Sequence, residues 1–147
     1  LLLYQERYKS YIAALKENSL PLDLELVCHG EPTIQGGFEQ MERLLARKKK
    51  FTAVFAAGDT MAIGAIKALQ KNGLRVPEDC AVVGFDDIGL AAFWEPSLTT
   101  IRQPKVQIGQ TAFQKLFTLM KKEPLLNTHD ILPHELVIRE SCGYFLK

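Results

Sequence analysis

Three apolar runs in the chain each stop at a short polar cluster. Leu24 to Cys28 gives way to His29 through Ile34, Ala53 to Ala57 gives way to Gly58-Asp59-Thr60, and Ala81 to Phe85 gives way to Asp86-Asp87-Ile88. Together the clusters offer carboxylates, a hydroxyl and backbone amides. Asp86 and Asp87 can act as general acid and base, as ligands for a metal, or as acceptors for the hydroxyls of a small polar molecule. Each can equally do no more than cap a turn. A metal finds little support, since His29 is the one imidazole near these run ends and a lone His there is ordinarily a surface residue. Nucleophilic catalysis needs a serine or cysteine with a base and an orienting group. No GxSxG elbow is present, and Cys28 and Cys80 lie in or beside apolar runs, where a buried, inert thiol is the default. No GxxxxGK[ST] or GxGxxG loop follows any run, and Gly36-Gly37 reads as a turn and a close-packing contact. The expectation is a chain without catalytic residues, without a metal and without a cofactor.

The elements that must position these clusters follow from periodicity. Tyr4, Tyr8, Tyr11, Ile12 and Leu15 form an apolar stripe of helical period, ended by Asn18-Ser19 and Pro21. Leu24 to Cys28 reads as a strand, and Phe38, Met41, Leu44 and Leu45 as a helix with a solvated basic end at Arg47 to Lys50. A second strand over Ala53 to Ala57 precedes a helix carrying Met61, Ile63, Ile66 and Leu69, whose nitrogens Asp59 or Thr60 can cap and which ends at Gly73. Pro77-Glu78-Asp79 then turns into a third strand, Ala81 to Phe85. Strands beginning near residues 24, 53 and 81, each followed by a helix, predict an α/β fold. Its βαβ units would form a parallel sheet with helices on both faces. Leu98 to Ile101 can form a further strand, Val106 to Met120 a long helix, and Leu132 to Ile138 a last extended segment. In such sheets ligands bind beyond the carboxyl ends of the strands, which is where the polar clusters fall.

Composition narrows the class. The 147 residues are 47% hydrophobic and 24% charged, the balance of one globular domain, and 18 Lys+Arg against 17 Asp+Glu leave a net charge of +1. That charge lacks the basic footprint of a nucleic-acid-binding module. The longest apolar runs fall far short of the roughly 20 residues that cross a bilayer. Three cysteines without a CxxC pair argue against a disulfide framework or a zinc site, and reduced thiols fit a cytoplasmic protein. A start at Leu1, directly in a helical pattern, leads to the expectation of a piece of a longer protein. The Phe93-Trp94 loop can stack on a sugar or fill a subunit interface, and the interface is the favoured use.

Phe55-Ala-Ala-Gly-Asp-Thr-Met-Ala-Ile-Gly-Ala65, Gly73-Leu-Arg-Val-Pro-Glu-Asp79, Val82-Val-Gly-Phe-Asp-Asp87 and Pro96-Ser-Leu-Thr-Thr100 occur in order, followed by Ile101-Arg-Gln-Pro104, Ile108-Gly109 and Leu136-Val-Ile-Arg-Glu-Ser141. This ordered set resembles the effector-binding core of LacI/GalR transcription regulators, which is similar to periplasmic sugar-binding proteins of type I. The resemblance implies that residues 1–97 are most of the C-terminal subdomain and that 98–123 are a crossover strand and helix of the N-terminal subdomain. Residues 124–147 would then return to the C-terminal subdomain, with the helix-turn-helix absent. It marks Arg7, Pro32, Gly58 and Asp86 as effector-binding positions, with Arg7 and Asp86 bonding the polar edge of a sugar or nucleobase. Family members commonly carry Asn at the place of Gly58 and an aromatic residue at that of Pro32, so the same sugar is not implied. It also implies a homodimer, with Ile63, Ile66, Phe93 and Trp94 at the interface. The partners are a small sugar-like effector and, through the absent domain, operator DNA, with no membrane. The other expectation of the same fold is a periplasmic sugar-binding protein serving a transporter.

Overall fold

The computed structural model describes residues 2–146; Leu1 and Lys147, the outer ends of the first and last expected segments, lie outside the described residues. Four α-helices span Leu2–Glu17 (α1), Ile34–Ala46 (α2), Asp59–Lys71 (α3) and Lys105–Met120 (α4). Four short strands span Ala53–Phe55 (β1), Ala81–Val83 (β2), Thr100–Arg102 (β3) and Glu135–Val137 (β4). β1 and β2 pair in parallel, with Val54 opposite Val82 and α3 crossing between them, which is the expected βαβ unit. Val83 then bridges in parallel to Thr99, and the N–H groups of Gly84 and Asp86 donate to the carbonyls of Thr99 and Ile101 at 2.9 Å each. β3 thus runs beside the end of β2 and continues into an antiparallel pair with β4, Ile101 opposite Leu136. The parallel arrangement therefore carries an antiparallel extension.

The core lies where α3 meets β2 and α2. Ile63, Ile66, Leu69, Val82 and Leu98 are all fully buried there, each contributing roughly 1.5–3 kcal/mol of apolar burial. α2 and α3 approach at backbone distance through two glycines. A Cβ on Gly64 would stand 2.0 Å from the carbonyl oxygen of Ile34, and one on Gly37 would stand 2.2 Å from that of Met61. Gly37 is thus the close-packing contact expected of the Gly36-Gly37 pair. Thr33 caps α2, its hydroxyl accepting from the Gly36 N–H at 2.9 Å.

Two expectations fail. Leu24 to Cys28 is not a strand: Leu24–Leu26 forms a 3-10 turn, with the Asp23 carboxylate accepting from the Glu25 N–H at 2.9 Å. The carbonyls that a ladder would use are taken by a side chain instead, because Arg47 Nη1 donates to the carbonyls of Glu25 and Val27. Lys49 pairs with Asp23 and Glu25, so the basic end of α2, exposed from Arg47 to Lys50 as expected, also reaches this segment from the surface. A cavity of about 450 Å³ remains between the segment, the tyrosines of α1 and β1, whose Ala53 and Phe55 are exposed. Ile63 and Ile66 are not interface residues either. Both are 0% exposed within the single chain, because they lie on the face of α3 that packs into the core.

Candidate functional site

The site forms where β1 and β2 end. β1 ends at Phe55 and the chain runs on to Gly58, which is the N-cap of α3 but makes no side-chain cap. Asp59 does not cap the helix nitrogens as expected. It turns inward, 1% exposed, where its Oδ1 accepts the Thr100 hydroxyl at 2.5 Å and its Oδ2 accepts the Ile88 N–H at 2.8 Å. Burial, the dominant cause, raises its pKa above the usual carboxylate value, although both hydrogen bonds pull the other way and the nearby Asp86 and Asp87 add to the rise. One buried carboxylate thereby ties α3 to the loop after β2 and to β3.

That loop carries Asp86 and Asp87 at φ 113° and 46°. Successive non-glycine residues with positive φ are costly, on the order of 1–3 kcal/mol each, and persist only where surrounding contacts fix them. Asp86 presents its side chain to three elements. Its Oδ1 accepts from Arg7 Nη2 of α1 at 3.2 Å and from Gln103 Nε2 beyond β3 at 2.5 Å. Its Oδ2 faces Gly58, where a Cβ would stand 3.6 Å away. The Arg7 guanidinium also donates to the carbonyl of Ala57 and lies 3.8 Å over the Phe85 ring. Arg7 and Asp86 are both partly buried, which fixes the pair without sealing it from solvent. An anionic acceptor, a fork of donors and an aromatic wall around a residue without a side chain suit the hydroxyls of a small polar molecule.

The structure brings Arg7, Gly58 and Asp86 together. Pro32 stands farther along, its carbonyl accepting the Thr60 hydroxyl at 3.1 Å, and it lines the cavity that Arg7 also borders. Sequence reasoning missed Gln103 and the Phe85 ring as site residues. Gln103 reaches the site only because β3 lies beside β2, and its one trace in the sequence is the Ile101 to Pro104 block. Cys80 is buried, with its thiol pushed up to about 11 by desolvation, the inert cysteine anticipated for that position. Phe93 is 88% exposed, whereas Trp94 packs on the core with its Nε1–H buried and without an acceptor among the described residues.

A βαβ core with a polar cluster at its strand ends and two strands crossing out of it puts a candidate ligand site where open α/β sheets bind their ligands. The chain belongs to the periplasmic binding protein-like domain family, whose sequence profile matches residues 3–142. Its relatives are transcriptional regulators. It is 43% identical over 136 residues to the HTH-type transcriptional regulator MalR of Clostridium butyricum, covering 92% of this chain and 40% of that protein. It is 41% identical over 136 residues to the repressor PurR of Photorhabdus laumondii, again covering 92% and 40%. Among solved structures it matches a CelR–cellobiose complex with a TM-score of 0.88 at 37% identity, over 92% of this chain and 42% of that one. It also matches the lac repressor dimer bound to operator and an anti-inducer with a TM-score of 0.84 at 31% identity, over 92% and 40%. The chain spans about two fifths of the length of these curated relatives. The relatives are LacI-type regulators, not enzymes, as the ordered motifs imply, and no helix among the described residues is long and apolar enough to cross a membrane.

Proposed function

We propose that this chain is the effector-sensing and dimerising part of a LacI-type transcription regulator. A small polyhydroxylated metabolite, most simply a sugar, binds across Asp86, Arg7 and Gln103 and shifts operator binding by the helix-turn-helix of the full-length cytoplasmic protein. The observation that carries this reading is the convergence of Arg7 and Gln103 on one oxygen of Asp86, with the other oxygen open over Gly58. The relatives favour it over a transport protein, since they are named as HTH-type regulators, and one solved neighbour holds cellobiose. On this reading residues 1–97 belong to one subdomain, 98–123 cross into a second and 124–147 return. Ser141 supports the return, since its hydroxyl donates to the Val82 carbonyl at 2.6 Å. Dimerisation on this reading falls to the Phe93-Trp94 loop, where the Phe93 ring is exposed.

The test is Asp86→Ala in the full-length protein, titrated calorimetrically with a panel of mono- and disaccharides that includes cellobiose. Loss of the heat seen with wild type, at an unchanged melting temperature, is the expected result. A wild-type isotherm in the variant removes Asp86 from the site.

A further inference from the structure

The Asp87 side chain makes no hydrogen bond to the cluster around Asp86, and each of its two carboxylate oxygens is held by an arginine. Its Oδ2 accepts from Arg102 Nε of β3 at 2.6 Å, and its Oδ1 accepts from Arg139 Nη2, just beyond β4, at 2.7 Å. Arg102 Nη1 reaches Glu135 Oε2 of β4 at 3.2 Å, which extends the chain of charges from Asp87 through β3 to β4. Arg139 is held in turn, donating from Nη1 to the Leu98 carbonyl at 2.7 Å and from its N–H to the Thr99 hydroxyl at 2.8 Å. The first residue of α4 joins in, with Lys105 Nζ donating to the Asp87 carbonyl at 3.0 Å. The Asp87 and Arg139 side chains are 11% and 15% exposed, so that pair is shielded from the solvent that weakens surface ion pairs, whereas Arg102 and Glu135 stay largely exposed. No other carboxylate among the described residues touches both β3 and the segment following β4 through arginines.

We infer that Asp87 is a positioning residue that clamps the loop bearing Asp86 to both strands that lead out of the core, β3 and β4. The inference rests on the proposed ligand site: with Asp86 and Asp87 adjacent, and both at positive φ, a ligand that moves Asp86 moves the anchor of both strands. The groups facing Asp87 from every packed element are Arg102, Arg139 and Lys105, with Asp59 and Asp86 the neighbouring carboxylates. Although desolvation pushes its pKa up, the hydrogen bonds and charges of Arg102 and Arg139 outweigh this and hold it below the ordinary carboxylate value.

Asp87→Asn separates the clamp from the turn, because asparagine tolerates the same backbone while it loses the charge and one acceptor. Hydrogen exchange is measured on the full-length protein for wild type, Asp87→Asn and Asp86→Asn. In Asp87→Asn the amides of Thr100 to Arg102 and Glu135 to Val137 should exchange faster together, by about tenfold, with α3 unchanged. In Asp86→Asn neither strand should change. Acceleration of one strand alone, of neither, or of α3 to the same degree overturns the clamp, the last because it reports general loss of stability. Calorimetry of the wild type with cellobiose and the other sugars separates the two readings. Absence of binding to any of them retires the ligand site, while the exchange data still decide the clamp.

Discussion

Asp59 shows how one side chain can set the geometry of a site it never enters. Removing its carboxylate in Asp59→Ala leaves the Ile88 N–H and the Thr100 hydroxyl buried without an acceptor, a loss of roughly 2–4 kcal/mol. Urea unfolding of the chain should show a lower midpoint at unchanged slope, and an unchanged midpoint would contradict the assignment. Asp59 and Asp87 also have opposite pH signatures. The raised pKa of Asp59 means that its buried charge costs stability at neutral pH, and this cost is relieved as pH falls through its folded pKa. The lowered pKa of Asp87 means a contribution present above the ordinary carboxylate value and lost as pH falls through its folded pKa. The stability gap between wild type and Asp87→Asn should therefore narrow on acidification below about pH 4, measured by denaturant titration across pH. A gap constant with pH would show that the charge is not what Asn removes. At this scale Gly58 and Asp86 were marked both by strand ends and by the ordered motifs, while Arg7, in the opening helix, was marked by the resemblance alone. Gln103, Arg102 and Arg139 were not, because they reach the cluster from segments 17, 15 and 52 residues away in the chain.

Among the elements, those with a strong local period came through best. α2, α3 and α4 lie where apolar spacing placed them, and the β1-α3-β2 crossover follows from two apolar runs and a helix between them. The run at Leu24 to Cys28 misled because periodicity cannot distinguish a strand from a capped turn whose carbonyls an arginine satisfies. Arg47 lies 22 residues from Glu25, beyond any local window. The closing segment depends on a contact of longer range still. The Ser141 hydroxyl donates to the Val82 carbonyl at 2.6 Å and accepts from the Thr99 N–H at 2.9 Å, so a buried serine splices the end of the chain onto β2 and β3. Ser141→Ala should cost about 1–3 kcal/mol, since both backbone groups lose their partner in a dry site. In a chain of this size that is a fall of several degrees in Tm. A scanning-calorimetry Tm within a degree of wild type would mean that water replaces the hydroxyl and that the splice is weaker than its geometry.

For the molecule as a whole, the telling feature is a helix whose apolar side is largely uncovered among the described residues. No residue of α4 is buried, and Val106, Phe113, Leu116, Phe117, Leu119 and Met120 are exposed, Met120 by 72%. Phe113 and Phe117 stack on each other at 6.1 Å, which concentrates the patch rather than covering it. The core formed by α2, α3 and β2 has no such deficit, so the molecule pairs a well-packed half with an arm whose hydrophobic stripe faces water. A contiguous patch of this kind drives association or dye binding in a soluble chain. The 147-residue chain should therefore enhance anilinonaphthalene sulfonate fluorescence and sediment with a concentration-dependent mass. Phe113→Glu with Met120→Lys should suppress both while leaving the unfolding of the α3 core untouched, because neither side chain contacts it. A monodisperse monomer that binds no dye would show that the stripe finds cover within the single chain in solution. The net charge of +1 bears on the same point: with almost no long-range repulsion between copies, little opposes the self-association that this face drives.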